Sequence, residues 1–528
     1  MRKINIGLLS VLFLFLLASC SNSENDKAAK DEIVYASSKD IRDINPHLYS
    51  GEMAAQNMVF ESLVKNTEDG VEPWLAESWD ISEDGLEYTF HLREDVTFSD
   101  GEKFNAEAVK QNMDAIMDNE ERHAWLDLVN LIDENVVVDE YTYKLVLKHP
   151  YYPTLTELGL TRPFRFLSPN DFVDGTTKDG ISGYSGTGPW VLSEHKENQE
   201  AVFTANEEYW GEQPKVNAVR WKVMPDHQTI LLALEKGEVD LIFGSDGDMI
   251  DLDSFSALEE QGEYVTEMSE PVASRAILLN SNRPITGEIE VREALQYAVD
   301  KQSIADGILN GSESVAPTLL ASTVPYSDLG LEERKYDPDK ANNLLDDAGW
   351  ELNSDDGYRY KDGEKLELNL YYNSDNAQEK TISEYIQSDL REIGVELHIT
   401  GEQKQAFLDR QKSGEFDLQY SLSWGTPYDP QSYLSSWRIP AHGDYQAQTG
   451  LDKKAWLDET ITDLMIEHDE ENREAMYAEV LSYIHDEAVY IPLTYSRTKA
   501  VHRPELQGVT FNVSQYEVPF ENMYFDTE

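Results

Sequence analysis

The sequence predicts an α/β protein built from more than one domain. Strand-like and helix-like stretches alternate along the chain with turn signals between them. One stretch spells out a complete β-α-β unit. The 528 residues also exceed what one hydrophobic core usually organises, which calls for about two to four domains. Taken in order, Ile33-Val34-Tyr35-Ala36 reads as a short buried strand. Glu87-Tyr88-Thr89-Phe90-His91-Leu92 alternates and is rich in β-formers, and the turn Glu83-Asp84-Gly85 before it marks a hairpin. Leu366 to Tyr371 alternates as a strand, 377–393 has helical spacing and stops at Gly394, and Val395 to Ile399 alternates again: the β-α-β unit. There is no internal repeat and no low-complexity segment beyond the polar stretch 21–32.

Cys20 is the only cysteine. It follows Arg2, Lys3, an apolar run from Ile6 to Leu17, and the small residues Ala18 and Ser19, a run too short for a stable membrane span. The pattern resembles a bacterial lipoprotein signal. That resemblance implies a signal peptide over 1–19, cleavage before Cys20, acyl chains on that residue, and a lipid-anchored polar linker over 20–32. The body is then extracytoplasmic, held to the outer face of the cell membrane. No later window approaches the roughly 18 apolar residues of a spanning helix. A body without cysteine has no disulfides and depends on packing.

Lys plus Arg number 43 against 101 Asp plus Glu, a net charge of −58; removing 1–19, which carries Arg2 and Lys3 and no acid, takes this to −60. Such a surface repels nucleic acid and anionic lipid. The acids are spread along the whole chain, which reads as a solvated surface suited to saline or alkaline surroundings; a general affinity for cations is the functional alternative.

The segments Trp74-Leu75-Ala76-Glu77-Ser78-Trp79, Ser82-Glu83-Asp84-Gly85 and Tyr88 through Gly101 come next. Gly186-Thr187-Gly188-Pro189-Trp190, Asn206-Glu207-Glu208-Tyr209-Trp210-Gly211, Val291-Arg292-Glu293-Ala294-Leu295, Tyr336-Asp337-Pro338 and Ala348-Gly349-Trp350 continue the series. Together they resemble the dipeptide/oligopeptide/nickel class of ABC-transporter solute-binding proteins, over about residues 33 to 525. The resemblance implies a periplasmic-binding-protein-like fold of two lobes around a hinged cleft. The first lobe would hold 33–72, 200–275 and 500–528, its extra subdomain 73–199, and the second lobe 276–499. It implies a monomeric binder, not an enzyme, that serves an ABC permease and its ATPase.

That class covers peptides, opines, sugars and nickel, so the fold does not choose the ligand. Arg122-His123-Ala124-Trp125-Leu126, Tyr151-Tyr152-Pro153, Arg162 to Phe166, Trp424 to Pro430 and Arg438 to His442 are most similar to the nickel-binding branch. There, positions matching Arg122, Trp125, Arg162, Trp424, Tyr428 and His442 line a metal-chelate pocket, with Tyr49 and Met53 as further wall candidates. The residue types agree with this. Eleven histidines show no paired metal-ligand spacing and the only thiol belongs to the anchor, so an all-protein Ni²⁺ site is unsupported and no cofactor is intrinsic. A nickel(II) ion would arrive chelated. Arg162 and Arg122 would grip a carboxylate with two parallel hydrogen bonds, Trp125, Trp424 and Tyr428 would offer flat walls, and His442 one imidazole nitrogen.

Each residue also has a plainer role open to it. Arginines in an acid-rich chain form salt bridges, Trp and Tyr near Pro pack, and His442 in Pro440-Ala441-His442-Gly443-Asp444 suits a solvent loop. His123 reads as structural and His485 as a capped or surface histidine. Thr177-Lys178-Asp179-Gly180 and Ser514 to Phe520 lie closer to Gram-positive relatives that take up metals on opine-like metallophores, which leaves the chelator between histidine-type and opine-type. A dipeptide or oligopeptide receptor is the alternative in the same architecture and requires an acid in the cleft for the peptide amine. A hydrolase lacks a Gly-x-Ser-x-Gly or His-Glu-x-x-His signal. A structural or adhesive lipoprotein would bind no small ligand.

Overall fold

The residues after the polar stretch enter a sheet at once. In the computed structural model, which describes residues 30–244 and 249–526, the strand Glu32–Ser37 lies parallel to Ala218–Val223 on one side and to Leu241–Gly244 on the other. Cys20 and the linker up to residue 29 lie outside the described residues. An eleven-stranded sheet continues from there. Its centre is the antiparallel pair Val265–Leu279 and Tyr490–His502, 15 and 13 residues long, so each strand spans about 40–50 Å. At one end His502 pairs with Val265 and Leu241, while at the other Leu278 pairs with Tyr490 and Leu279 with Leu418. The register shifts on both sides of Pro271, where proline cannot donate to the ladder and the ribbon bends.

The two ends of this pair serve two hydrophobic cores. Ile33, Phe203, Trp221, Leu241 and Val501 belong to one, and Leu279, Leu295, Leu368, Ile386 and Leu418 to the other. The molecule is two-lobed α/β, as the sequence predicts. The β-α-β unit sits in the second core: Glu367–Asn373 and Glu396–Glu402 pair in parallel, joined by helix Ala377–Glu392, whose start is capped by the Asn376 side chain accepting from Gln378 N and Glu379 N. Gly394 ends it with φ +82°, a conformation that costs other residues steric strain.

A separate four-stranded antiparallel sheet is built from Ala76–Ile81, Glu87–Leu92, Thr142–Leu147 and Ile132–Asp139. Its hairpin closes with Ile81 opposite Tyr88 and Gly85 at φ +66°. Tyr88, Phe90 and Leu92 all face inward, the period-two alternation seen in the sequence. Helix Ala106–Met117 covers this sheet with Val109, Met113 and Ile116. Two of the motif tryptophans turn out to be structural. Trp74 and Trp210 donate their indole N–H to the buried Glu61 at 2.8 and 2.9 Å, and Tyr209 and Thr187 donate hydroxyls to it at 2.9 and 2.8 Å, which satisfies a carboxylate that burial alone would make costly.

Among the described residues, no helix is long and apolar enough to cross a membrane. His485 departs from expectation. It lies half-buried in the last turn of helix Glu470–Asp486, where its Nε2 accepts from Arg334 at 3.2 Å. Burial and then the neighbouring guanidinium hold its pKa below the usual histidine range. Its imidazole is therefore neutral, half-buried at the helix end beside Arg334.

Candidate functional site

Seven of the eight residues expected at the site, all but Arg122, line one cavity of about 340 Å³ together with Tyr516. They arrive from loops at the ends of regular elements, the usual place for binding residues. Tyr49 precedes helix Met53–Val59, whose first residue is Met53. Trp125 follows the short helix Glu120–His123, and Arg162 lies beyond helix Thr154–Leu158. From the other side, Trp424 and Tyr428 occupy the loop between strand Leu418–Leu422 and helix Gln431–Ser436, and His442 immediately precedes helix Gly443–Gln448.

The loop 423–430 is fixed by Asp429. Its Oδ2 accepts from Ser423 Oγ at 2.6 Å and Gly425 N at 3.1 Å. Gly425 has φ +79°, and a Cβ there would come within 2.7 Å of Val272 O and of Gln515 Nε2, so only glycine allows this turn. The aromatic rings meet at edge and tilted angles. Trp125 is 5.7 Å from Trp424 and 6.3 Å from Tyr428, Trp424 is 5.7 Å from the His442 ring, and Tyr428 is 6.0 Å from Tyr516. The two walls of the cleft are therefore in contact at the site, with packing of the kind aromatic pairs prefer.

Arg162 is half-buried, its guanidinium 5.0 Å from the Tyr49 ring centroid, and Nη1 donates to Gly51 O at 3.1 Å. No carboxylate among the described residues lies within ion-pair distance of it. Burial lowers its pKa, but a guanidinium stays charged, so the cavity holds one positive charge awaiting an anion. Arg122 is different: it is exposed, 5.7 Å from the Tyr49 ring, and outside the cavity lining. Burial pushes the Tyr428 phenol up to about 12 and raises Tyr49 further, so both stay neutral. Burial lowers the His442 pKa while the Asp444 carboxylate opposes this. A neutral imidazole results, and its ring nitrogens accept no hydrogen bond among the described residues.

Among the described residues, three potential metal-binding side chains converge only at Glu367, Glu396 and His398, on the β-α-β unit and away from the cavity. The cavity lining offers a metal one imidazole, His442. A wider cleft of about 850 Å³ adjoins it and shares Tyr49, Met53, Arg162 and Tyr516. Among the described residues, the two acids bordering that cleft are engaged, Asp40 with His195 at 3.0 Å and Glu52 with Arg42. Sequence reasoning did not single out Tyr516. Its hydroxyl donates to Trp424 O at 3.4 Å, and the only hint was that 514–520 departs from the nickel type. It also left His123 as merely structural, whereas Tyr49 Oη lies 2.7 Å from its Nδ1.

The sequence profile of the bacterial extracellular solute-binding proteins, family 5, middle region, matches residues 70–445. The nickel-binding periplasmic protein of Escherichia coli is 43% identical over 512 residues, covering 97% of this chain and 98% of that protein. The crystal structure of NikA from Brucella suis in complex with Fe(III)-EDTA superposes with a TM-score of 0.92 at 44% identity, over 94% of this chain and 100% of that one. NikZ from Campylobacter jejuni in complex with Ni(L-His) superposes at 0.78 with 25% identity, over 94% and 99%.

Proposed function

Since the chain belongs to the bacterial extracellular solute-binding proteins of family 5, we propose that it is the solute-binding component of an ABC importer, which captures nickel as a small chelate and delivers it to the permease. The donor set of the cavity carries this reading. One imidazole, His442, and one unpaired guanidinium, Arg162, stand among ring faces. A divalent nickel ion takes about four to six nitrogen or oxygen donors, so most must come from a chelator. The chelator's carboxylates would account for the arginine. Relatives crystallised with Fe(III)-EDTA and Ni(L-His) hold metals already wrapped in carboxylate and amine donors, which supports the same class of cargo here. A peptide receptor would be expected to offer an acid to the peptide amine, and among the described residues the two acids bordering the cleft are already paired.

The lobes are taken as 33–72, 200–275 and 500–528 for the first, with 73–199 as its extra subdomain, and 276–499 for the second. The strand Trp190–Lys196, near the end of the subdomain's range, joins the first lobe's sheet. Arg162, Trp125, Tyr49 and Met53 then face Trp424, Tyr428 and His442 across the hinge. A ligand touching both sides shifts the hinge towards closure. The protein acts as a monomeric binder, without catalysis.

Calorimetry with free Ni²⁺, with Ni²⁺ plus L-histidine or an opine-type chelator, and with a dipeptide set tests the cargo. Heat is expected from a chelate; dipeptide binding without chelate binding would overturn the reading. Cys20 is proposed as the lipid anchor, with 20–32 as its leash. Cys20→Ser should release the protein from membranes at unchanged affinity, and a variant that stays in the membrane pellet after a salt wash removes the anchor.

A further inference from the structure

Tyr49 comes from the first lobe's opening segment, while His123 and Trp125 come from the segment that follows helix Ala106–Met117. Three polar atoms tie them together. Trp125 Nε1 donates to Tyr49 Oη at 2.7 Å, and Tyr49 Oη is 2.7 Å from His123 Nδ1. An indole N–H can only donate, so the Tyr49 oxygen accepts from Trp125, and its bond to His123 Nδ1 runs in the direction set by the imidazole tautomer. Burial holds the His123 pKa down to about 4, so the imidazole is neutral and carries one ring hydrogen. Its other ring nitrogen, Nε2, is buried without a partner among the described residues.

That last feature is informative. His123 is fully buried, at 0% exposure, and a core position with no task beyond filling space is better served by an apolar residue than by one with an orphaned ring nitrogen. What the imidazole supplies is a hydrogen-bond partner for Tyr49. The pinned phenol matters in two directions: its oxygen holds the Trp125 indole, and its ring is where the Arg162 guanidinium rests, 5.0 Å from the centroid.

We infer that His123 is a positioning residue for the ligand site, acting through a Trp125–Tyr49–His123 hydrogen-bond relay that fixes one wall of the cavity before ligand arrives. It touches no ligand. A wall held in its binding geometry loses less freedom on association, and that saving appears as affinity. The relay also uses up the Trp125 N–H, so Trp125 meets the ligand with its ring face and leaves polar recognition to Arg162 and His442.

The inference rests on the nickel-chelate reading for its binding consequence but not for the relay itself, and the experiment separates the two. In the ligand-free protein, the indole ¹H–¹⁵N resonance of Trp125, identified by its loss in Trp125→Phe, should shift in His123→Phe and in Tyr49→Phe. It should return towards its wild-type position in His123→Asn, whose amide oxygen replaces Nδ1. An unmoved resonance in a folded His123→Phe or Tyr49→Phe protein refutes the relay. Titration with Ni²⁺ plus L-histidine should then show His123→Phe weaker by about tenfold or more, His123→Asn close to wild type, and no further loss when His123→Phe is added to Tyr49→Phe. Additive losses, or wild-type affinity in His123→Phe, refute the positioning role. If the wild-type protein ignores Ni²⁺ plus L-histidine, the cargo is wrong while the resonance still reports on the relay. Should His123→Phe not fold, Tyr49→Phe breaks the same relay at its centre.

Discussion

On one wall of the cavity, Trp125 Nε1, Tyr49 Oη and His123 Nδ1 are bonded in series at 2.7 Å, with His123 Nε2 buried without a partner among the described residues. On the other, Trp424 and Tyr428 hang from a loop whose buried acid, Asp429, has Oδ2 satisfied twice and Oδ1 not at all among the described residues. Ser435 Oγ and Trp437 Nε1, just behind, are also buried without partners among the described residues. The difference has opposite signs in pH. The His123 pKa is depressed from 6.5 to about 4 by burial, so its contribution to stability is full above about 6.5 and is lost as pH falls towards 4. Burial raises Asp429 from 3.8 to about 7, with its hydrogen bonds opposing; its contribution is full below about 4 and is lost as pH rises towards 7. One wall weakens in acid, the other on approach to neutrality.

The largest effect should come from removing the charge on the relay side. Arg162→Ala strips the cavity of its unpaired cation and should weaken chelate binding by about 2–5 kcal/mol, the usual loss when a desolvated charge pair is broken. Arg162→Lys should recover part of this, since a point charge cannot reproduce the two-pronged grip on a carboxylate. Titrations of both variants that overlay the wild type would take Arg162 out of the site. On the opposite wall, His442→Ala removes one donor of several and should cost less, on the order of 1–3 kcal/mol, because the chelator keeps the metal. Electronic spectra of the bound nickel should move in His442→Ala; an unchanged spectrum means the imidazole is not a ligand.

Asp429→Asn tests the loop side without touching ligand. The amide can keep its oxygen towards Ser423 and Gly425, as the neutral acid does, but it cannot ionise. The variant should melt with the wild type near pH 4 and be more stable by about 1–2 kcal/mol at pH 8, with the gap opening between those values. Melting curves that run parallel over that range would show that Asp429 does not titrate as its burial implies.

How much of this the chain discloses depends on the scale of the signal. The hairpin at 76–92 and the unit at 367–402 were legible because their periodicity is local and their glycines stand where φ must be positive. Site residues from seven positions meet in one cavity, yet they were found through family resemblance, since nothing in spacing alone relates Tyr49 to Tyr428. The motif tryptophans Trp74 and Trp210 marked the family without marking the site, because their task is to satisfy Glu61. Tyr516 and the His123 relay stayed hidden. Their contacts span 92 and 74 positions of chain, and only tertiary structure supplies the partner.

Arg122 draws the finest distinction between what is near the pocket and what belongs to it. It shares a helix end with His123 and faces the Tyr49 ring at 5.7 Å, but it is exposed and lies outside the cavity lining. A charge in water at that distance is screened and costs little to remove, so Arg122→Ala should weaken chelate binding by no more than about 1 kcal/mol, shrinking further as salt is raised. Arg162→Ala, by contrast, should lose affinity at every salt concentration, because its guanidinium is half-buried against the ligand space. Titrating both variants at low and high ionic strength separates the two roles. If Arg122→Ala instead loses as much as Arg162→Ala and does so independently of salt, the chelate reaches beyond the cavity to the rim, and the relay wall must include Arg122 as a direct contact.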